Sequence, residues 1–192
     1  MRVFQSLPEG YIETFNVNLQ KDKKKMLLIN IFGTVLMIAL AIPMHFYMPI
    51  NSLFDMSQGI YIYFIRFIAI IILMIAYIIL HEFIHGIAMK ICGTKKVRYG
   101  FTGVYAYAGS DDYYSKRSYI FIALAPVVLL GIVIGIVNIF VPQDWFWVIY
   151  IIQVMNISGA VGDFYVTAKF SKMPKSILNR DSGVGMTVYS KE

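Results

Sequence analysis

Four apolar runs, each long enough to cross a lipid bilayer, constrain this chain more than any other feature. They cover residues 26–48, 60–89, 121–141 and 145–168. Each reaches the roughly 20 residues that a helix needs to span a hydrocarbon core of about 30 Å. Composition agrees: 58% of the 192 residues are hydrophobic and only 15% are charged, where a water-soluble domain carries about 25%. The expected fold is therefore an all-α integral membrane domain of four transmembrane helices over residues 26–168. A polar segment, 1–25, precedes it and a polar tail, 169–192, follows.

The basic residues set the expected orientation. Five Lys or Arg precede the first run, six lie between the second and third, and five follow the fourth. The short connections around 49–59 and 142–144 hold none. Arg66, the one left over, sits near the outer end of the second run and is expected to snorkel to the interface. Positive charge accumulates on the cytoplasmic side of membrane proteins. Both termini and the 90–118 connection are thus expected in the cytoplasm of a multi-pass cell-membrane protein. The net charge of +6 reads as a topology signal with an anionic-lipid contact, not as a nucleic-acid footprint. Lys23–Lys25 followed by an apolar run and Ala39-Leu40-Ala41 imitates a cleavable signal peptide. Its leading polar region would be unusually long, so the run is read as a retained span.

Two short β elements are expected outside the helices. Phe15, Val17 and Leu19 alternate with polar residues, the period of a half-buried strand. Residues 97–109 mix aromatics with Gly at turn-like intervals and read as a hairpin at the membrane surface. One cysteine, Cys92, excludes an internal disulfide framework.

Chemistry concentrates at the end of the second run, in His81-Glu82-Phe83-Ile84-His85. On a helix, positions i and i+4 share a face, so both imidazoles can reach one tetrahedral metal ion. Glu82, offset by about 100°, can serve as a base toward water rather than as a ligand. A structural histidine pair is the plainer alternative. However, ionisable side chains at membrane depth cost about 2.5–3.5 kcal/mol each on insertion scales and usually mark function.

A zinc site needs a third protein ligand. A metzincin would carry Gly at 88 and His at 91, where Ala88 and Ile91 stand. A thermolysin-like glutamate is also excluded, because no Glu lies between Glu82 and Glu192. Asp163 on the fourth run ranks first. It lies six residues before Lys169, as His85 lies five before Lys90, so both sit about 8 Å inside the same edge. Asp111 and Asp112 rank second and Cys92 third, while His45 belongs to the opposite surface. Asn156, two turns before Asp163, has two readings: a donor to a substrate carbonyl or oxyanion, or an interhelical hydrogen bond. Ser158, Gly159, Gly162 and Gly86 are small enough for close helix approach.

An HExxH on one membrane helix with an Asp on a later one resembles the site-2 protease family of intramembrane metalloproteases. The likeness covers roughly residues 60–168, with Ala125-Pro126 where relatives carry a small-residue–Pro step. The second family motif, Asn-x-x-Pro followed by Leu-Asp-Gly, departs: here it reads Asn156-Ile157-Ser158-Gly159-Ala160-Val161-Gly162-Asp163-Phe164. This version looks more like the small bacterial zincin-type membrane peptidases of uncharacterised function. The resemblance implies a catalytic zinc ion and a membrane protein or peptide substrate, with the 97–109 segment aligning substrate as an added strand. It also implies hydrolysis near the cytoplasmic face. A non-catalytic metal-binding scaffold, or a regulator capturing transmembrane partners, is the rival reading. An ion carrier ranks third.

Overall fold

The computed structural model describes residues 2–17, 22–103, 105–183 and 185–191. Its helices follow the apolar runs: α1 Lys23–Tyr47, α2 Ile60–Cys92 and α3 Lys116–Phe140. The fourth run is split into α4 Phe146–Gly159 and α5 Val161–Ser171. Among the described residues, four helical stretches, the fourth running Gln143–Ser171, are long and apolar enough to cross a membrane. The split at Ala160 was not anticipated. Its backbone leaves the helical region (φ −81°, ψ 14°), and Gly159 and Gly162, poor helix formers, flank it.

The β content is larger than the sequence suggested. The strands are β1 Val3–Phe4, β2 Tyr11–Val17, β3 Arg98–Phe101, β4 Ala106–Gly109, β5 Tyr113–Ser115, β6 Leu178–Asp181 and β7 Met186–Lys191. β3 and β4 form the expected hairpin. The other five make one antiparallel sheet in the order β1-β5-β6-β7-β2. The N-terminal strand is present over Tyr11–Val17 and holds Phe15 and Val17, while Leu19 lies outside the described residues. The stretch expected as a plain tail, 169–192, instead supplies β6 and β7. Met186 and Val188 are buried and alternate with half-buried Thr187 and Tyr189, the period-2 pattern of a strand with one buried face. The β6–β7 turn is closed by the Ser182 N–H donating to the Gly185 carbonyl at 3.0 Å. Gly183 there adopts φ +84°, a conformation that glycine takes without steric cost. The fold is therefore mostly helical with a small antiparallel sheet, rather than all-α.

The chain divides into two compact units. The first comprises 1–29, 80–126 and 162–192. Its core packs Met89, Tyr114, Tyr119, Ile122, Phe170 and Val188, so the sheet and the ends of α2, α3 and α5 share one apolar interior. The second comprises 30–79 and 127–161, centred on Leu53, Trp147 and Val148. Within it Arg66 does not snorkel. It is 0% exposed and donates to the carbonyls of Ser52 (3.3 Å) and Asp55 (3.0 Å), to Gln58 Oε1 (3.3 Å) and to Asp144 Oδ2 (3.0 Å). A guanidinium has five donors and no acceptor; the loop after α1, with Asp144, accepts those of its two terminal nitrogens. Asn156 is also buried in this unit, and its Nδ2 donates to the Val127 carbonyl at 3.0 Å.

Candidate active site

The site lies within the first unit and begins with the last turns of α2. Helical spacing puts the His81 and His85 rings on one face, with centroids 4.8 Å apart and planes at 78°. Asp163, in the first turn of α5, faces both. Its Oδ2 lies 3.4 Å from His81 Nε2 and its Oδ1 3.6 Å from His85 Nε2. These separations exceed the 2.7–3.2 Å of an ordinary N–H···O hydrogen bond. They approach the spacing of about 3.4 Å between two ligands held about 2.1 Å from one tetrahedral zinc ion. Among the described residues, one group of three or more potential ligands has its donor atoms within 4.8 Å of one another: His81, His85 and Asp163. Two imidazoles and a carboxylate form a donor set that suits zinc and leaves a fourth position open.

The surroundings orient these groups. His85 Nδ1 is 2.9 Å from the Ile122 carbonyl of α3. A carbonyl only accepts, so Nδ1 carries a proton, and Nε2 is the ring nitrogen that faces Asp163. Asp163 benefits from its position, because the N-terminal turn of a helix favours negative charge.

Glu82 projects from the adjoining face into a cavity of about 150 Å³ that it shares with His85, Asp163, Ala108 and Asp181. At about 30 Å³ per water, that space holds a few solvent molecules or one peptide unit. The backbone amide of Ala108 in β4 is a hydrogen-bond neighbour of the Glu82 carboxylate. On the neighbouring strand, the Tyr99 hydroxyl of β3 lies over Gly86 of α2, 1.9 Å from where a Cβ would stand. The Thr102 N–H donates to the Tyr105 carbonyl at 3.0 Å and Tyr107 pairs with Gly100. Antiparallel alternation therefore directs the backbone groups of Ala106 and Ala108 away from β3. The same alternation sends the Ser110 N–H to the Asp181 carbonyl at 2.8 Å.

Asp181 is the cavity residue that the sequence reading missed. Its Oδ1 accepts the Gly183 N–H at 2.8 Å and its Oδ2 accepts the Tyr119 hydroxyl. Burial pushes its carboxyl above the usual carboxylate range. The Asp181-Ser182-Gly183 turn signal was available in the sequence, but nothing local linked it to α2. Among the described residues, the lower-ranked ligand candidates lie outside the His81, His85 and Asp163 group. Asp111 is paired with Arg98 and Arg180, whose guanidiniums hold its carboxyl down to about 2. The Asp112 N–H donates to Ser110 Oγ at 3.1 Å. Cys92 is buried, with Sγ 3.9 Å from the Ser118 carbonyl, and His45 Nδ1 accepts the Ile50 N–H at 3.2 Å.

Residues 74–178, just over half the chain, match the model of a family described as "Putative zincin peptidase". The chain belongs to this family. The matched stretch of the zincin-peptidase family member contains His81, Glu82, His85 and Asp163 but ends before Asp181. A protein of Pyrococcus woesei described as "Uncharacterized 24.7 kDa protein in gap 5'region" is 28% identical over 118 residues, 59% of this chain and 51% of that protein. The chain thus spans about half the length of this curated relative. No solved structure matches.

Proposed function

We propose that this chain is an intramembrane zinc metallopeptidase of site-2-protease-like layout. It would cleave peptide bonds of membrane-spanning or membrane-proximal substrates near the cytoplasmic face. The observation that carries this reading is the convergence of His81, His85 and Asp163 at tetrahedral spacing, beside a carboxylate, Glu82, that is not one of the three.

Lipid is the medium that best accounts for the helix surfaces. Leu28, Ile79, Ile139 and Phe140 are between 63% and 82% exposed, and such residues recur along the outer faces of the long helices. Contiguous apolar patches of that extent are foreign to a water-soluble monomer. Orientation follows from the sheet and the charge together. The N-terminal segment, the 98–115 connection and the C-terminal segment contribute strands to one sheet. That pairing supports a common side of the membrane for all three, and their Lys and Arg favour the cytoplasmic one.

His81, His85 and Asp163 would hold a zinc ion, which would supply Lewis acidity toward a carbonyl and toward water. Glu82, lining the cavity beside them, would take a proton from the attacking water and return it to the leaving amine nitrogen. The Ala108 amide and the cavity wall keep the Glu82 carboxylate aimed at the site. The outward-facing backbone groups of Ala106 and the Ala108 carbonyl provide an edge on which an unwound substrate segment can add as a strand. The membrane protein or peptide enters from the bilayer, and Asn156 remains in the interhelical hydrogen bond that it makes with Val127.

The test is Glu82→Gln, assayed in proteoliposomes on an unfolded protein probe such as casein. The variant keeps size and hydrogen-bonding capacity, so zinc content should equal that of wild type. Cleavage should fall by a factor of about 10² to 10⁴. Equal cleavage by the variant and wild type would overturn the peptidase mechanism in favour of a metal-binding scaffold.

A further inference from the structure

Proline in the middle of a helix has two backbone consequences. It lacks the N–H that would bond four residues back, and it therefore leaves that carbonyl without its helical partner. In a membrane helix such a freed carbonyl must find another donor, because lipid supplies none. α3 carries Pro126 inside the helix, fully buried. The carbonyl four residues back is that of Ile122, the same one that meets His85 Nδ1 at 2.9 Å.

We infer that Pro126 is a positioning residue for the metal site: by withholding an N–H from the Ile122 carbonyl, it reserves that acceptor for His85 and so fixes which imidazole nitrogen faces the metal. The inference rests on the reading of His81, His85 and Asp163 as zinc ligands.

The arrangement meets two needs together. The freed carbonyl is satisfied by the imidazole, and the imidazole is locked with Nδ1 protonated and Nε2 available. Ordinary helix geometry would direct an N–H from position 126 at the Ile122 oxygen. The histidine would then share the oxygen's two lone pairs with a backbone donor aligned along the helix axis, and its own bond would be less well aligned. The imidazole would gain rotational and tautomeric freedom, which lowers its basicity toward a cation. Helix propensity alone makes the opposite prediction, because Ala is the better helix former at an interior position. A substitution that improves the helix and loosens the metal therefore separates this role from a structural one.

The experiment uses the full-length protein in detergent and measures zinc affinity by chelator competition, with thermal unfolding of the metal-free protein as a control. Pro126→Ala restores the N–H. It should fold at least as well as wild type and bind zinc about 10-fold more weakly, within the 10- to 100-fold range typical when a ligand's supporting hydrogen bond is lost. The companion variant places the α-hydroxy acid of alanine at 126, which replaces the N–H with an ester oxygen and also lacks the ring. Its zinc affinity should return to within about twofold of wild type, because only the missing donor matters. Imidazole ¹⁵N shifts should report protonated Nδ1 on His85 in wild type and the ester variant, and mixed tautomers in Pro126→Ala. Unchanged zinc affinity in Pro126→Ala overturns the inference and leaves the metallopeptidase reading intact. Equal weakening in both variants also overturns it, since the ring and not the absent donor would then be responsible. A wild-type protein that binds no zinc overturns the reading of the site and this inference with it.

Discussion

At the scale of single residues, two glycines near the cavity look alike in the sequence and differ in what surrounds them. A Cβ on Gly86 would meet the Tyr99 hydroxyl at 1.9 Å, but Tyr99 is 48% exposed and can swing aside. A Cβ on Gly109 would meet the backbone of Ser182 and Gly183 at 2.4–2.6 Å, and main chain in a closed turn has nowhere to go. Gly109→Ala should therefore cost about 1–3 kcal/mol of stability, the range of overpacking, whereas Gly86→Ala should cost less than about 1 kcal/mol. Thermal unfolding of the two variants in one detergent checks the ranking, and equal losses would contradict it. The HExxH was legible at this scale because it is local: five consecutive residues fix the relative placement of two imidazoles and a carboxylate. Asp163 was reachable only by reasoning about depth in the membrane. Asp181 was not reachable, because its approach to the site depends on β6 pairing with β5.

At the scale of elements, helices were readable and most of the sheet was not. Apolar run length sets α1, α2 and α3 directly. β1 and β5 are two and three residues long, too short for any periodicity, and Leu-Asn-Arg-Asp in β6 carries little strand propensity of its own. Their order, β1-β5-β6-β7-β2, is a long-range property that no window of sequence contains. What ties the β3–β4 hairpin to this sheet is open to a pH test. Asp111 pairs with Arg98 of β3 and with Arg180 of β6. Its carboxyl is held near 2 when folded against 3.8 unperturbed. The pairing thus adds stability above about pH 4 and loses it as pH falls toward 2. All three side chains are between 38% and 55% exposed, so the contribution is that of a surface pair, about 0.2–1 kcal/mol. Asp111→Asn should lower stability by that amount at pH 6 and have no effect near pH 2. A difference that persists undiminished at pH 2 would assign the loss to packing instead.

At the scale of the molecule, the proposed function needs the sheet on one side of a bilayer and the site just within the hydrocarbon. Single cysteines introduced by Ser6→Cys, Lys95→Cys and Lys175→Cys in a Cys92→Ser background should resist an impermeant maleimide in intact cells and react after permeabilisation. Asn51→Cys, in the opposite connection, should react in intact cells. Labelling of Lys95→Cys from outside would reverse the orientation and move the site's opening to the other face. The proposed peptidase function hangs on one claim, that His81, His85 and Asp163 hold a zinc ion. The direct measurement is the zinc content of the full-length protein, purified in detergent and dialysed against trace zinc, compared with His85→Ala. The account predicts about one zinc per wild-type chain and less than a tenth of that in the variant. Wild-type protein without zinc, or a His85→Ala variant that retains a full equivalent, would contradict it.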